Sequence, residues 1–121
     1  QKPEDFALIL PGALGFVGSR LLERLMQAEG YPMAKLHNDC GLMIYDRLTQ
    51  DVHAGGSGCG CAASVLCSFI LPQIACHRLK NVLFLATGAL MSPTSVQQGE
   101  SIPGIAHLLH LSDQPNSPEQ L

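Results

Sequence analysis

The 121-residue sequence predicts an α/β layered domain with a mixed, mostly parallel sheet. Three observations carry this. Two short runs, F-A-L-I-L at 6–10 and V-L-F-L-A at 82–86, are apolar at successive positions, the pattern of strands buried on both faces. Each passes into the same tripeptide, Gly12-Ala13-Leu14 and Gly88-Ala89-Leu90, a weak internal echo. Between them lie one amphipathic and one apolar stretch, both with helical spacing. If the two strands are parallel, both turns emerge at one edge of the sheet, where α/β ligand sites lie.

The elements follow in order. Pro11-Gly12 ends the first strand, and Gly12, Gly15 and Gly18 lead into a helix over 19–29. Leu21, Leu22, Leu25 and Met26 form its apolar face, with Arg20, Glu23, Arg24 and Gln27 largely opposite. Gly30 and Tyr31-Pro32 stop it. Strand, glycine turn and helix invite a dinucleotide reading, but Gly12, Gly15 and Gly18 lack the G-x-G-x-x-G spacing. L-H-N-D-C-G at 36–41 is a dense polar turn, and L-M-I-Y (42–45) with D-V-H (51–53) predicts a hairpin over 42–54. G-G-S-G-C-G at 55–60 then opens an apolar helix over 61–76. After the strand at 82–86 come a polar loop, 92–99, and a last strand, 105–111. The domain is thus 1–111, and 112–121, with two prolines and few apolar residues, reads as a flexible tail.

Only 14% of residues are charged and 46% are hydrophobic, against roughly 25% charged for a soluble domain. More surface than usual is therefore expected to be covered by a partner or by a missing part of the protein. A net charge of −3 with seven Lys+Arg argues against nucleic acid, and no basic cluster suggests anionic lipid. The longest apolar run, 61–76, is broken by Ser64, Ser68, Pro72 and Gln73 and falls short of the about 20 residues a bilayer span needs. Five cysteines, an odd number, read as reduced thiols. The chain shows no signal peptide and opens on Gln1-Lys2-Pro3, so it reads as a fragment. Its apolar helix puts Val65, Leu66, Phe69, Ile70, Leu71 and Ile74 on no single stripe, so both sides should be covered. Leaving such side chains in water forfeits about 1.5–3 kcal/mol each. Val65, Leu66, Phe69 and Ile70 are the candidate interface.

Candidate site residues cluster around the second glycine turn. Gly56, Ser57, Gly58, Cys59 and Gly60 could turn several N–H groups and one hydroxyl toward an anion, or could exist for close backbone packing. His37 and Asp39 either stand at a pocket mouth or serve a turn in which Asn38 or Asp39 caps its own backbone. His107 and His110 sit at an odd spacing on the last strand and face opposite sides; His107 reads as a core histidine or a ligand contact. His37, Cys40, His53, Cys59 and Cys61 are soft ligands without a C-x-x-C pair, so no metal and no cofactor is assigned.

Four blocks, H-N-D-C-G-L-M-I-Y (37–45), A-G-G-S-G-C-G-C (54–61), A-T-G-A-L-M-S-P-T (86–94) and E-S-I-P-G-I-A-H (100–107), occur in this order. Together they resemble the C-terminal half of the stage V sporulation protein AD family, within the thiolase superfamily. The resemblance implies a thiolase-like half-domain of βαβαββ-type order, here with an inserted hairpin, whose apolar helix faces its equivalent in an N-terminal half. It further implies binding of dipicolinic acid, with calcium, and its uptake into the developing spore. The implied partners are an N-terminal thiolase-like half or a second copy, and sporulation membrane proteins of the same operon. The implied place is the cytosolic face of the spore inner membrane, peripheral and without a transmembrane segment. Condensing relatives carry Pro-His-Gln-Ala-Asn after the first strand and Gly-Asn-Thr-Ser before the buried helix. Here these read Pro11-Gly12-Ala13-Leu14-Gly15 and Gly55-Gly56-Ser57-Gly58, so the His and the Asn are absent and catalysis is not expected to carry over. An acyltransferase using a Cys of the missing half with His107, and a purely structural subunit, stand as the alternatives.

Overall fold

The computed structural model describes residues 2–58, 60–89 and 92–115. After a 3₁₀ turn at Pro3–Asp5 come β1 (Leu8–Pro11), α1 (Gly15–Ala28), α2 (Cys40–Met43) and α3 (Cys61–Val65). A π-helical segment, Leu66–Ile70, joins α3 to α4 (Leu71–Ala75). β2 (Asn81–Ala89), α5 (Pro93–Gln97) and β3 (Gly104–Ser112) complete the order. The sheet runs β1-β2-β3, with β1 parallel to β2 and β2 antiparallel to β3. This is the expected α/β class with a mixed sheet. Ile9 also forms a parallel bridge with His37, which lays residues 36–38 along the free side of β1.

Alternation along the strands loads both faces of the sheet. Leu10, Val82 and Phe84 pack with Cys40, Cys61, Val65, Ile70 and Ile74, so one face is covered by the helical rod 61–75. Ile9, Leu83 and Leu85 turn the other way and meet Phe6, Met33, Leu22 and Met26, so α1 covers the second face. Helix, sheet and helix form three layers over β1 and the first half of β2. Beyond Ala86 the cover ends. Thr87 to Ala89 are exposed, and so is β3 from Gly104 to His110, with Ile105, Leu108 and Leu109 in the open on both faces.

Several expectations change. The hairpin over 42–54 is not there: α2 and a series of turns take its place. Four apolar residues cannot distinguish a strand from one helical turn. Here the Asp39 carbonyl accepts from the Leu42 and Met43 N–H groups, and the Asp46 carboxylate accepts from the Leu48 N–H, so the chain coils instead of pairing. On α1, Leu22 and Met26 face inward, whereas Leu21 and Leu25 are exposed. The polar loop 92–99 contains α5, capped by the Ser92 hydroxyl accepting from the Ser95 N–H. Gly88 and Ala89 remain in β2 and make no turn, so the echo of Gly12-Ala13 is one of sequence only. The last strand reaches Ser112, and Asp113 is tied by its N–H to the Lys80 carbonyl and by its carboxylate to His77 Nδ1 at 3.0 Å.

The apolar helix carries the largest correction. Its Leu71 N–H reaches back five residues to the Leu66 carbonyl, just before Pro72, which has no N–H to offer. That one-residue slip brings Val65 and Ile70 onto the same inward face, with Cys61 and Ile74. The spacing of 4, 5 and 4 therefore makes one stripe where a regular 3.6-residue period showed none. Val65 and Ile70, expected at an interface, are buried in this chain's own core; Phe69 and Leu71 are exposed and Leu66 is half-buried.

Candidate functional site

The bridge between Ile9 and His37 sets the site. It sends His37, Asn38 and Asp39 alongside the end of β1, so that Asp39 arrives beneath the turn into α1. That helix has Leu14 at its N-cap and no side-chain cap of its own. The Asp39 carboxylate supplies one from elsewhere: it accepts from the Leu14 N–H at 2.8 Å and from the Gly15 N–H at 2.9 Å. Asp39 is fully buried, and its own N–H donates to the Asn38 side-chain oxygen at 2.8 Å. The first glycine turn is thus an anion site already filled by the chain. No room is left there for a nucleotide phosphate.

The carboxylate acts on its neighbours. Burial first, then the charges of Asp39 and Cys61, push the Cys40 thiol from 9.0 up to about 12. Cys61 is raised as well, by burial and by Asp39. Both thiols are held protonated at neutral pH. The His37 side chain is buried, with Nδ1 3.1 Å from Glu23 Oε1 on α1.

The second glycine turn divides in two. Its first half is packing. The Gly56 N–H donates to the Gly41 carbonyl at 2.7 Å, and a Cβ at Gly41 would lie 2.5 Å from the Gly56 oxygen. A Cβ at Gly56 would meet Ile44 at 2.5 Å, and Gly55 (φ +114°) presses on Gly41 in the same way. Only glycine permits these backbones to approach so closely. Its second half is open. Ser57, Gly58 and Gly60 are exposed, and a Cβ at Gly58 or Gly60 would meet nothing within 4 Å. Gly60 is the N-cap of α3 and, like Leu14, offers no side-chain cap. Cys59 lies outside the described residues.

Asp39 and Gly56 therefore meet through Gly41 at one junction, near which the Phe16 N–H also donates to the Ala54 carbonyl at 2.8 Å, whereas His37 faces Glu23. His107 is elsewhere. It lies on β3 opposite Ala86 and is exposed, so it is not a core histidine of the described residues. His53 is exposed beside Asp51, and among the described residues no three His, Cys, Asp or Glu side chains come together to hold a metal. The role of Asp39 as a cap in trans was missed by sequence reasoning. The signal was Leu14: a helix that starts on a residue unable to cap must find its acceptor elsewhere.

A family model described as stage V sporulation protein AD matches residues 1–112. The chain belongs to that family. It is also 49% identical over 107 residues to stage V sporulation protein AD of Bacillus subtilis (strain 168), an alignment covering 88% of this chain and 31% of that protein. The chain thus spans about a third of the length of the curated relative it matches. In this member of the stage V sporulation protein AD family, the four sequence blocks collect at two places. Residues 37–45 and 54–58 of the first two form the junction of Asp39, Gly41 and the second glycine turn, whereas residues 86–89 and 104–107 of the last two run along the uncovered ends of β2 and β3.

Proposed function

We propose that this chain contributes a carboxylate-accepting turn to a sporulation protein that binds dipicolinic acid, free or as its calcium salt, and supports its uptake into the developing spore. The observation that carries it is the open half of the second glycine turn. Ser57, Gly58 and Gly60 stand exposed at the start of the helical rod 61–75, with no side-chain cap on α3. Dipicolinate is a dianion, and a carboxylate there would take the part that Asp39 plays at α1.

Binding proceeds without thiolase-type condensation. Gly12 stands where the resemblance gives condensing relatives a histidine. A Cβ at that position would lie 2.7 Å from the Thr87 hydroxyl and 3.6 Å from Ala62, so a larger side chain would have to displace the Thr87 side chain. Cys40 and Cys61 are protonated and buried, which suits packing and not nucleophilic attack. Exposed Phe69, Leu71, Ile105 and Leu109 are to be covered by an N-terminal thiolase-like half or a second copy. Among the described residues no helix is long and apolar enough to cross a membrane; the protein acts peripherally at the spore inner membrane beside membrane proteins of its operon.

Calorimetric titration with dipicolinate tests the reading. Saturable heat is expected, and no heat at millimolar ligand overturns it in favour of a purely structural subunit. An acyl adduct found by intact mass after incubation with acyl-CoA would overturn the non-catalytic part.

A further inference from the structure

The sheet ends on an open edge. β3 pairs with β2 on one side, and among the described residues no strand lies along its other side. The Asp113 N–H donates to the Lys80 carbonyl, which fixes the direction of the backbone groups along β3. These groups alternate from residue to residue. Those of Ile105, His107, Leu109 and Leu111 therefore point at β2, and those of Gly104, Ala106, Leu108, His110 and Ser112 point away from it. None of the outward residues is proline, so each presents one N–H and one C=O to the open side.

Sheet edges are ordinarily guarded by a charge, a proline, a bulge or a covering element. β3 has none of these. No Asp, Glu, Lys or Arg occurs between Ile102 and Ser112, and Pro103 lies just outside the strand. The register with β2 runs from Gly104 to Ser112 without a bulge, and residues 104–110 are exposed. Copies of a chain of net charge −3 repel one another in general, but along this strand they bring no like charges together.

We propose that β3 pairs antiparallel with β3 of a second copy of this chain, on a two-fold axis at Leu108. Leu108 is the midpoint of Gly104–Ser112, so this register sets every outward residue against an outward residue. Leu108 meets the partner's Leu108, Ala106 meets the partner's His110, and Gly104 meets the partner's Ser112. All the free N–H and C=O groups of the edge are then used, and the two sheets become one. An axis moved two residues either way leaves outward groups unpaired at the ends. Between these pairs, Ile105 comes opposite the partner's Leu111 and His107 opposite the partner's Leu109, apolar contacts that suit cross-strand packing. The pairing concerns the edge of the sheet and not its faces, and it stands whether or not the glycine turn binds dipicolinate.

Sedimentation equilibrium of the full chain at about 0.1 mM should give twice the 12.9 kDa of one chain. Leu108→Lys sets two ammonium groups against each other at the axis and should weaken the dimer at least about tenfold. Its circular dichroism should not change, because Leu108 is 59% exposed. Ala106→Pro removes an outward N–H while leaving the bonds to β2, and should weaken the dimer likewise. Phe69→Lys, on the helical rod and away from the edge, should leave the mass doubled. Amide exchange locates the contact: Ala106 and His110 should exchange at least about tenfold more slowly in the wild type than in Leu108→Lys, and His107 and Leu109 alike in both. A monomer at about 0.1 mM, or a dimer that survives Leu108→Lys or Ala106→Pro, overturns the proposal. So does a dimer lost in Phe69→Lys, or equal exchange of Ala106 and His110 in the two proteins.

Discussion

The turn from Pro11 into α1 and the turn from Gly55 into α3 are built from the same residue types, yet their N–H groups meet different fates. At the first, Asp39 accepts from Leu14 and Gly15 in a fully buried setting. At the second, Gly55 and Gly56 are pressed against Gly41, while Ser57, Gly58 and Gly60 face outward. The difference comes from what lies alongside each turn. The segment 36–38 runs beside β1 and leads Asp39 to the first, whereas among the described residues no side chain caps α3 at Gly60. One helix start is closed by the fold, and its counterpart stands exposed.

The largest test removes the internal anion. Asp39→Ala strands two N–H donors that now have a charged acceptor, and should cost about 2–4 kcal/mol in urea unfolding. Asp39→Asn, which keeps one acceptor oxygen, should lose about half of that. Unchanged stability in both would erase the contrast between the turns.

Next come the glycines at the junction. Gly41→Ala places a methyl 2.5 Å from a backbone oxygen and 2.9 Å from the Asp39 carboxylate, so about 1–3 kcal/mol should be lost. Thermal melts that show no loss would mean that the two backbones do not touch in solution.

Alkaline titration then reads the charge of Asp39 through its neighbour. Burial, followed by the charges of Asp39 and Cys61, raises Cys40 from 9.0 to about 12, so the folded state favours the protonated thiol. Its contribution is complete below pH 9 and is lost as pH rises toward 12. Cys40→Ala should flatten that alkaline limb, and Asp39→Asn should lower the Cys40 pKa. A limb unaltered by both would remove Cys40 as its cause.

Some of this was legible in the residues. The successive apolar positions at 6–10 and 82–86 announced sandwiched strands, and Ile9 and Leu10 indeed serve opposite layers. The split within the second turn was not legible, because glycine is demanded equally by crowding and by openness and only the neighbouring Gly41 and Ile44 tell which. The inward stripe of the apolar helix was hidden for another reason. A π turn changes the angular step between Val65 and Ile70, and a period of 3.6 cannot anticipate it. His107 was misplaced because an apolar strand looks the same whether this chain or another covers it.

The smallest effect is the one that separates the turns most sharply. Gly60 has helical angles, φ −93° and ψ −11°, and a Cβ there meets nothing within 4 Å. Gly60→Ala should therefore stabilise the fold by about 0.4–1 kcal/mol, through the reduced freedom of the unfolded chain. The same methyl stands among the N–H groups that a dipicolinate carboxylate would use, so affinity should fall as stability rises. Opposite signs in the two measurements are what an open anion site requires. A loss of stability would put Gly60 with Gly41, as a residue kept small for packing. Raised stability with unchanged dipicolinate affinity would leave the turn open and place the ligand elsewhere.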